Sequence, residues 1–347
     1  MFALSLLLLS NIFISPADFG RRDRILLFTF ALTLPSDFTF VIPYCEATFM
    51  LTMSLAIWGL FRRKMWLFYT GLVLFAMSRP SFFLVATAII CTDVYFLILN
   101  KDWKSFPKEL GLKLLPIFAG VMITFFIQYL ASGNFFKMFQ VHQMFWQHFF
   151  QYPRTISDWS VEGYGMNIFA MICIALPAAF FMFTYFLKHY EGRQNPSISL
   201  FSPETAKKYL LGLSVVYFFG NFLFVFFHQG GNLNGLHRYI LVSPFFYMFL
   251  FILAPKVKSI SLIRELTILV PVAFIGYLFL VNGPYQHKIS FLDTGYFLLV
   301  LSAMYFIMFN RLKAPLKITL LGVLVFCNTV WLTYLFNPFL NDAYIIA

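Results

Sequence analysis

The chain has 347 residues, of which 61% are hydrophobic and only 11% are charged. A soluble domain carries about 25% charged residues, so this composition excludes a water-soluble globule, a disordered chain, a secreted disulfide scaffold and a nucleic-acid-binding protein. The formal net charge of +11 instead fits a protein of the lipid bilayer, because Lys and Arg collect in cytoplasmic loops. We therefore expect residues 1–347 to form one all-α integral membrane domain.

Apolar runs alternate with basic clusters, and together they predict the spans. A bilayer core accepts roughly 20 helical residues, and the chain must cross twice between neighbouring cytoplasmic clusters, which gives about twelve crossings. This topology describes a multi-pass protein of the plasma or inner membrane with both termini outside. The predicted crossings are 1–15, a pair within 25–61, a pair within 65–99, 114–132, 167–187, 209–228, 239–255, 266–282, 293–309 and 318–336.

The first span begins outside in this topology. Residues 1–15 have no basic segment ahead of the apolar run and no small-residue cleavage site, which argues against a cleaved signal peptide. Either the protein has a simple N-out topology, or a preceding span and outer loop are missing from the chain.

Ionisable groups in apolar stretches are costly unless they are paired or hydrated, so each one is a candidate for function. Asp37 and Glu46 lie at the outer turn of the first hairpin, and Glu46 begins an apolar helix. Its carboxylate either interacts with the helix dipole or lines an outer cavity. Arg79 lies between two apolar runs. Its guanidinium either reaches the outer interface or binds phosphate oxygens.

The longest outer loop, 133–166, has apolar positions that predict an amphipathic helix on the membrane surface. His142, Gln143 and Trp146 in this loop are candidates for sugar or acceptor contacts, because aromatic faces and amides suit sugars. The spacing of His142 and His148 is not that of a zinc-ligand pair. We expect no cofactor, and a divalent cation at the departing phosphate remains an open alternative.

A second turn-rich outer loop, 229–238, ends in His237 and Arg238. His237 is either a packed interfacial residue or an acceptor contact, and Arg238 is a second outer guanidinium that favours an anionic ligand. Asp93 is predicted near the cytoplasmic end of 81–99, where a basic anchor would pair with it. The sequence has no phosphate-binding loop, dinucleotide-binding glycine motif, serine-hydrolase elbow or haem motif.

Four segments then appear in an order and spacing that resemble the PIG-V-like mannosyltransferases, within the GT-C class of integral membrane glycosyltransferases. The segments are Pro43-Tyr44-Cys45-Glu46-Ala47-Thr48-Phe49, Ala76-Met77-Ser78-Arg79-Pro80, Gly133-Asn134-Phe135-Phe136-Lys137-Met138-Phe139 with Gln143 and Trp146, and Arg238-Tyr239-Ile240-Leu241 with Pro244.

The resemblance implies about a dozen helices around a cavity open to the outer face, a sugar donor linked to polyprenyl phosphate, a glycan or lipid acceptor, and inverting transfer. Arg79 and Arg238 would bind the donor phosphate, His142, Gln143, Trp146 and His237 would contact sugar or acceptor, and Glu46 or Asp37 would be the catalytic carboxylate. Members of this class usually carry a catalytic acid in the first outer loop, often in a Trp-Asp pair. This sequence has no such pair, so we expect that loop and its preceding span to be missing.

Two other functions stay open at this point. A transporter or flippase of lipid-linked glycans would also contain intramembrane charges and many helices. An O-antigen polymerase or ligase would likewise use arginines on the outer face to bind lipid-linked glycans.

Overall fold

The computed structural model describes the backbone of residues 1–14, 21–32, 34, 37–41, 45–79, 81–100, 103–146, 151–153, 156–157, 164–191, 203–253 and 314–340. Within these ranges the regular structure is helical and there is no β-strand, which confirms the expected helical architecture. The predicted crossings 266–282 and 293–309 lie outside the described residues.

The helices follow the predicted apolar runs closely. In chain order they are α1 (Phe2–Phe13), α2 (Arg21–Ala31), α3 (Phe38–Val41), α4 (Glu46–Phe61), α5 (Met65–Ser78), α6 (Phe82–Asn100), α7 (Phe106–Ser132), α8 (Lys137–Trp146), α9 (Tyr164–Phe169), a π-helical turn (Ala170–Ala175), α10 (Leu176–Glu191), α11 (Pro203–His228), α12 (Leu236–Ile240), α13 (Pro244–Leu253) and α14 (Ala314–Leu340).

Three helical segments are long and apolar enough to cross a membrane: Phe106–Ser132, Asn167–Thr184 and Ala206–His228. Shorter apolar helices accompany them, including α4 with 16 residues and α5 with 14 residues. At 1.5 Å per residue these two helices are about 24 and 21 Å long, less than a bilayer core of about 30 Å. The sequence predicts short helices here, because residues 25–61 and residues 65–99 must each provide two crossings and the turn between them.

The antiparallel pair α4 and α5 is tightly packed through small residues. A Cβ atom added at Gly71 would lie 2.7 Å from the backbone nitrogen of Ala56, and one added at Gly120 of α7 would clash with the carbonyl oxygen of Val73. Close backbone approach of this kind is typical of helices that associate in membranes. Because α4 and α5 have nearly equal lengths, the start of α4 and the end of α5 come to the same end of the bundle.

The predicted crossing 239–255 is not one continuous helix. It divides into α12 and α13, separated by residues 241–243. Ser243 causes the restart: its hydroxyl donates to the carbonyl of Ile240 at 2.7 Å and accepts from the N–H of Phe246 at 3.3 Å. Pro244 occupies the first helical position, where its missing N–H costs nothing.

Within the predicted outer loop 133–166, the helix α8 covers Lys137–Trp146. Gly133 ends α7 in the left-handed region (φ 68°), and the side chain of Asn134 then accepts a hydrogen bond from the N–H of Phe136 at 2.8 Å. Phe136 and Met144 are well exposed, as expected of a helix that lies on a membrane surface.

Candidate functional site

Glu46, at the first position of α4, is the centre of a buried ionic cluster. Arg238 of α12 donates from Nε to Glu46 Oε1 at 3.1 Å, and its Nη2 donates to the same oxygen. The two residues are 192 positions apart in sequence. Glu46 has no exposed surface, whereas the Arg238 side chain is 22% exposed. The carboxylate is therefore inside the bundle, and Arg238 connects it to the surface.

Arg79 joins this cluster from the end of α5. Its Nη2 lies 3.7 Å from Glu46 Oε1, and its guanidinium carbon lies 4.7 Å from the ring centre of Tyr239 and 5.5 Å from that of Phe49. The Arg79 side chain is only 6% exposed. A guanidinium paired with a carboxylate and placed over two aromatic faces is held inside the protein.

Local structure explains how three distant segments meet here. The turn at residues 62–64 returns the chain so that Glu46 and Arg79 lie at the same end of the α4–α5 pair. Gly230, Gly231 and Gly235 all have positive φ, a conformation that glycine adopts without strain, and they direct the chain into α12. Arg238 then extends from this short helix toward the α4–α5 end.

Among the described residues, two guanidinium groups meet one carboxylate in this cluster. Arg79 Nη1 is buried and has no hydrogen-bond partner among the described residues. Both arginines contact Oε1, while the described contact of Oε2 is with the thiol of Cys45 at 3.9 Å. Among the described residues, the cluster thus has one guanidinium nitrogen without an acceptor, and Glu46 Oε2 lies away from the oxygen that both arginines contact.

Asp37, the other candidate carboxylate, has a different partner. The hydroxyl of Tyr247 on α13 donates to Asp37 Oδ1 at 2.6 Å, and Oδ2 is buried without a hydrogen-bond partner in the described part of the chain. No hydrogen bond or ion pair between described residues joins Asp37 to Glu46. The structure thus places the two carboxylates in separate polar contacts.

His237 lies beside Arg238 but faces the opposite way, toward α9. Asn167 Oδ1 accepts from the His237 main-chain N–H at 2.8 Å and lies 2.7 Å from His237 Nδ1. Burial, with a smaller contribution from the charge of Arg238, lowers the pKa of His237 to about 3. The ring is therefore neutral and packed, as in the first of the two alternatives that the sequence offers for this residue.

His142, Gln143 and Trp146 lie on α8, but their side chains fall outside the described residues. The helix itself is attached to the end of α7: the N–H of Met138 donates to Gln128 Oε1 at 3.3 Å, and the rings of Phe125 and Phe139 are 6.0 Å apart. Their assignment as sugar or acceptor contacts remains a prediction.

A second buried ion pair confirms the expected basic partner of Asp93. Lys113 Nζ donates to both carboxylate oxygens of Asp93, at 2.7 and 2.9 Å, and lies 4.5 Å from the ring centre of Tyr209. This pair joins α6 and α7 through one cation and one carboxylate, whereas the described residues of the Glu46 cluster are two cations and one carboxylate.

Sequence reasoning missed Asn167 and the aromatic contact of Tyr239. In the sequence Tyr239 is only a member of the Arg238-Tyr239-Ile240-Leu241 segment, whereas in the structure its ring lies against Arg79. Asn167 interrupts an apolar run, and that isolated amide was the available signal, since an unpaired amide is costly inside a membrane protein.

Among the described residues, no group of three or more His, Cys, Asp or Glu side chains is arranged to hold a metal ion. The chain matches no protein family, no curated protein and no solved structure in the comparisons made.

Proposed function

We propose that this protein is a PIG-V-like membrane glycosyltransferase of the GT-C class, with about twelve spans, that transfers a mannosyl or other hexosyl unit from a polyprenyl phosphate on the outer face of the membrane. One observation supports the proposal above all. Glu46, Arg79 and Arg238 come from three of the four segments that carry the family resemblance, and they meet at one carboxylate oxygen.

The charge of the cluster suits a departing lipid phosphate. Transfer breaks the bond between the anomeric carbon and the phosphate oxygen, and negative charge grows on that phosphate. Preorganised hydrogen-bond donors that point at such developing charge usually make a large contribution to the rate enhancement. In this proposal Arg79 and Arg238 supply the donors, and Glu46 holds both guanidiniums through Oε1. The buried Nη1 of Arg79, which has no hydrogen-bond partner among the described residues, would donate to a phosphate oxygen.

The acceptor hydroxyl must lose its proton as its oxygen bonds to the anomeric carbon. Glu46 Oε2 is our first candidate for receiving that proton, because both arginines bind the other oxygen. Asp37 is the second, because Tyr247 orients Oδ1 and leaves Oδ2 without a described partner. Inversion follows if the acceptor attacks from the side opposite the phosphate.

Transfer of a labelled sugar from polyprenyl phosphate to a glycan or lipid acceptor, by the full chain in proteoliposomes, tests the proposal. Replacement of Arg79 by Ala should lower the transfer rate by about 100-fold or more, since one preorganised donor to developing charge is worth that much. Lys137 provides the matched control, because it is exposed on α8 and Lys137→Ala removes the same charge there. Equal rates for the two variants would contradict the assignment of Arg79.

A carrier of lipid-linked glycans is the second candidate, because buried charges in helices also suit transport. The same proteoliposomes separate the two functions. A fluorescent lipid-linked sugar that changes leaflet while its glycosidic bond stays intact would favour the carrier. A labelled acceptor product would favour the transferase, including one of the O-antigen polymerase or ligase type if the product is a lengthened glycan.

A further inference from the structure

Asn167 forms two hydrogen bonds with His237, and their geometry determines which atoms donate and which accept. The main-chain N–H of His237 can only donate, so the amide atom that faces it must be the oxygen of Asn167. That oxygen can only accept, so the ring nitrogen at 2.7 Å, Nδ1, carries the proton of the neutral imidazole. His237 is thus fixed in one tautomer and one orientation.

This contact lies where the local backbone has little stability of its own. The helix α12 that presents Arg238 has five residues, far fewer than an isolated helix needs to be stable. It follows Gly235, whose φ of 76° lies in the left-handed region. The position of α12 must therefore come from tertiary contacts.

Two sets of contacts hold α12 from different sides. Before the helix, Ser157 exchanges backbone hydrogen bonds with Gly231 at 2.8 Å and Leu233 at 2.7 Å. Within the helix, Asn167 holds the residue that directly precedes Arg238. Asn167 is fully buried and lies just ahead of the π-helical turn Ala170–Ala175, which also packs on α12. Local π-helical geometry of this kind is frequent near functional sites.

We propose that Asn167 is a positioning residue: by binding the main-chain N–H and the ring of His237, it directs the neighbouring Arg238 onto Glu46 and toward the donor phosphate. The part of this inference that concerns the donor phosphate rests on the proposed function. The contact between Asn167 and His237 does not depend on that function. Its loss leaves two buried N–H groups without their acceptor and removes a fixed point one residue from the guanidinium.

Solid-state NMR of the full chain with ¹⁵N-labelled histidine, in lipid bilayers at pH 7, tests the contact directly. The His237→Gln variant identifies the His237 signals among those of six histidines. The wild type should show a protonated Nδ1 and an unprotonated Nε2. Asn167→Asp keeps the acceptor oxygen and adds a carboxylate, which should favour a second ring proton. Unchanged His237 signals in Asn167→Asp would overturn the inference, and this variant decides the matter even if Asn167→Leu does not fold.

Binding of polyprenyl phosphate, measured against uncharged polyprenol, tests the effect on the site. Asn167→Leu should weaken binding of the phosphate by about tenfold, equivalent to a misdirected charge-assisted hydrogen bond. Asn328 is another fully buried amide, on α14, and Asn328→Leu should change the affinity by less than about twofold.

A double-variant cycle distinguishes positioning from a general structural role. If Asn167 acts through Arg238, then Asn167→Leu should weaken phosphate binding no further once Arg238 is replaced by Ala. Additive losses would overturn the inference and leave the proposed function standing. A wild type that binds polyprenol as well as polyprenyl phosphate would instead overturn the proposed function together with the phosphate part of this inference, while the NMR result would still decide the contact.

Discussion

Replacement of Glu46 by Gln removes the carboxylate that two guanidinium groups share, while it keeps the size of the side chain. Glu46 has no exposed surface and Arg79 is 6% exposed, so the Arg79 guanidinium loses its carboxylate partner in a dry environment. Removal of one partner of a buried ion pair costs about 3 to 5 kcal/mol, and we expect the lower end because Arg238 is partly exposed.

The free energy of unfolding of the full chain, measured by denaturant titration in mixed micelles, gives this cost. Asp93→Asn is the matched control, because it also removes the carboxylate from a buried pair, that with Lys113. Both variants should be destabilised. Only Glu46→Gln should regain more stability than the wild type from added polyprenyl phosphate, since a ligand that binds the native state stabilises it in proportion to its occupancy.

Two results would refute this reasoning. If Glu46→Gln unfolds within about 0.5 kcal/mol of the wild type, the three charged groups do not depend on one another in the protein. If polyprenyl phosphate stabilises Asp93→Asn as strongly as Glu46→Gln, the lipid phosphate does not bind at the two arginines.

Three further predictions concern single residues. Arg238→Lys keeps the charge, but an ammonium group cannot donate from two nitrogens to one carboxylate oxygen, so the rate of sugar transfer should fall by about tenfold. A rate equal to that of the wild type would contradict a role for the planar guanidinium. The pKa of His237 is about 3 in the folded protein and about 6.5 in the unfolded chain. Its contribution to the free energy of unfolding should therefore be complete above pH 6.5 and should fall by about 1.4 kcal/mol for each pH unit below that value. The free energy of unfolding, measured from pH 7 to pH 5, should depend less on pH in His237→Gln than in the wild type. Gly120→Leu should separate α7 from α5 and lower the unfolding temperature, whereas Gly111→Leu, where a Cβ has no neighbour within 4 Å, should not.

Much of the architecture could be predicted from the sequence, because membrane helices follow apolar runs. The start of α4 and the ends of α5, α7 and α11 lie close to their predicted positions, whereas α7 begins eight residues before its predicted crossing. The break between α12 and α13 was missed because Ser243 and Pro244 act through cap geometry inside a run that is apolar throughout.

The site was predictable in part for a physical reason. A charge in an apolar stretch needs a partner, so Glu46, Arg79 and Arg238 could each be identified alone. Their meeting at one oxygen depends on how α12 packs against the α4–α5 pair, which no local pattern encodes. Asn167 escaped detection because it is uncharged, and its importance comes from a contact with His237, 70 positions away.

Because α4 and α5 are joined by the turn at residues 62–64, Glu46 and Arg79 can meet only if the two helices keep their present numbers of residues. One residue inserted or deleted in either helix would rotate the end of that helix by about 100° and shift it by about 1.5 Å. The carboxylate and the guanidinium would then point to different sides of the bundle. A functional variant should therefore tolerate many substitutions between these two positions but no change in the number of residues between them. Insertions between Gln151 and Pro153, in a nonhelical stretch of the predicted outer loop, would leave this register intact.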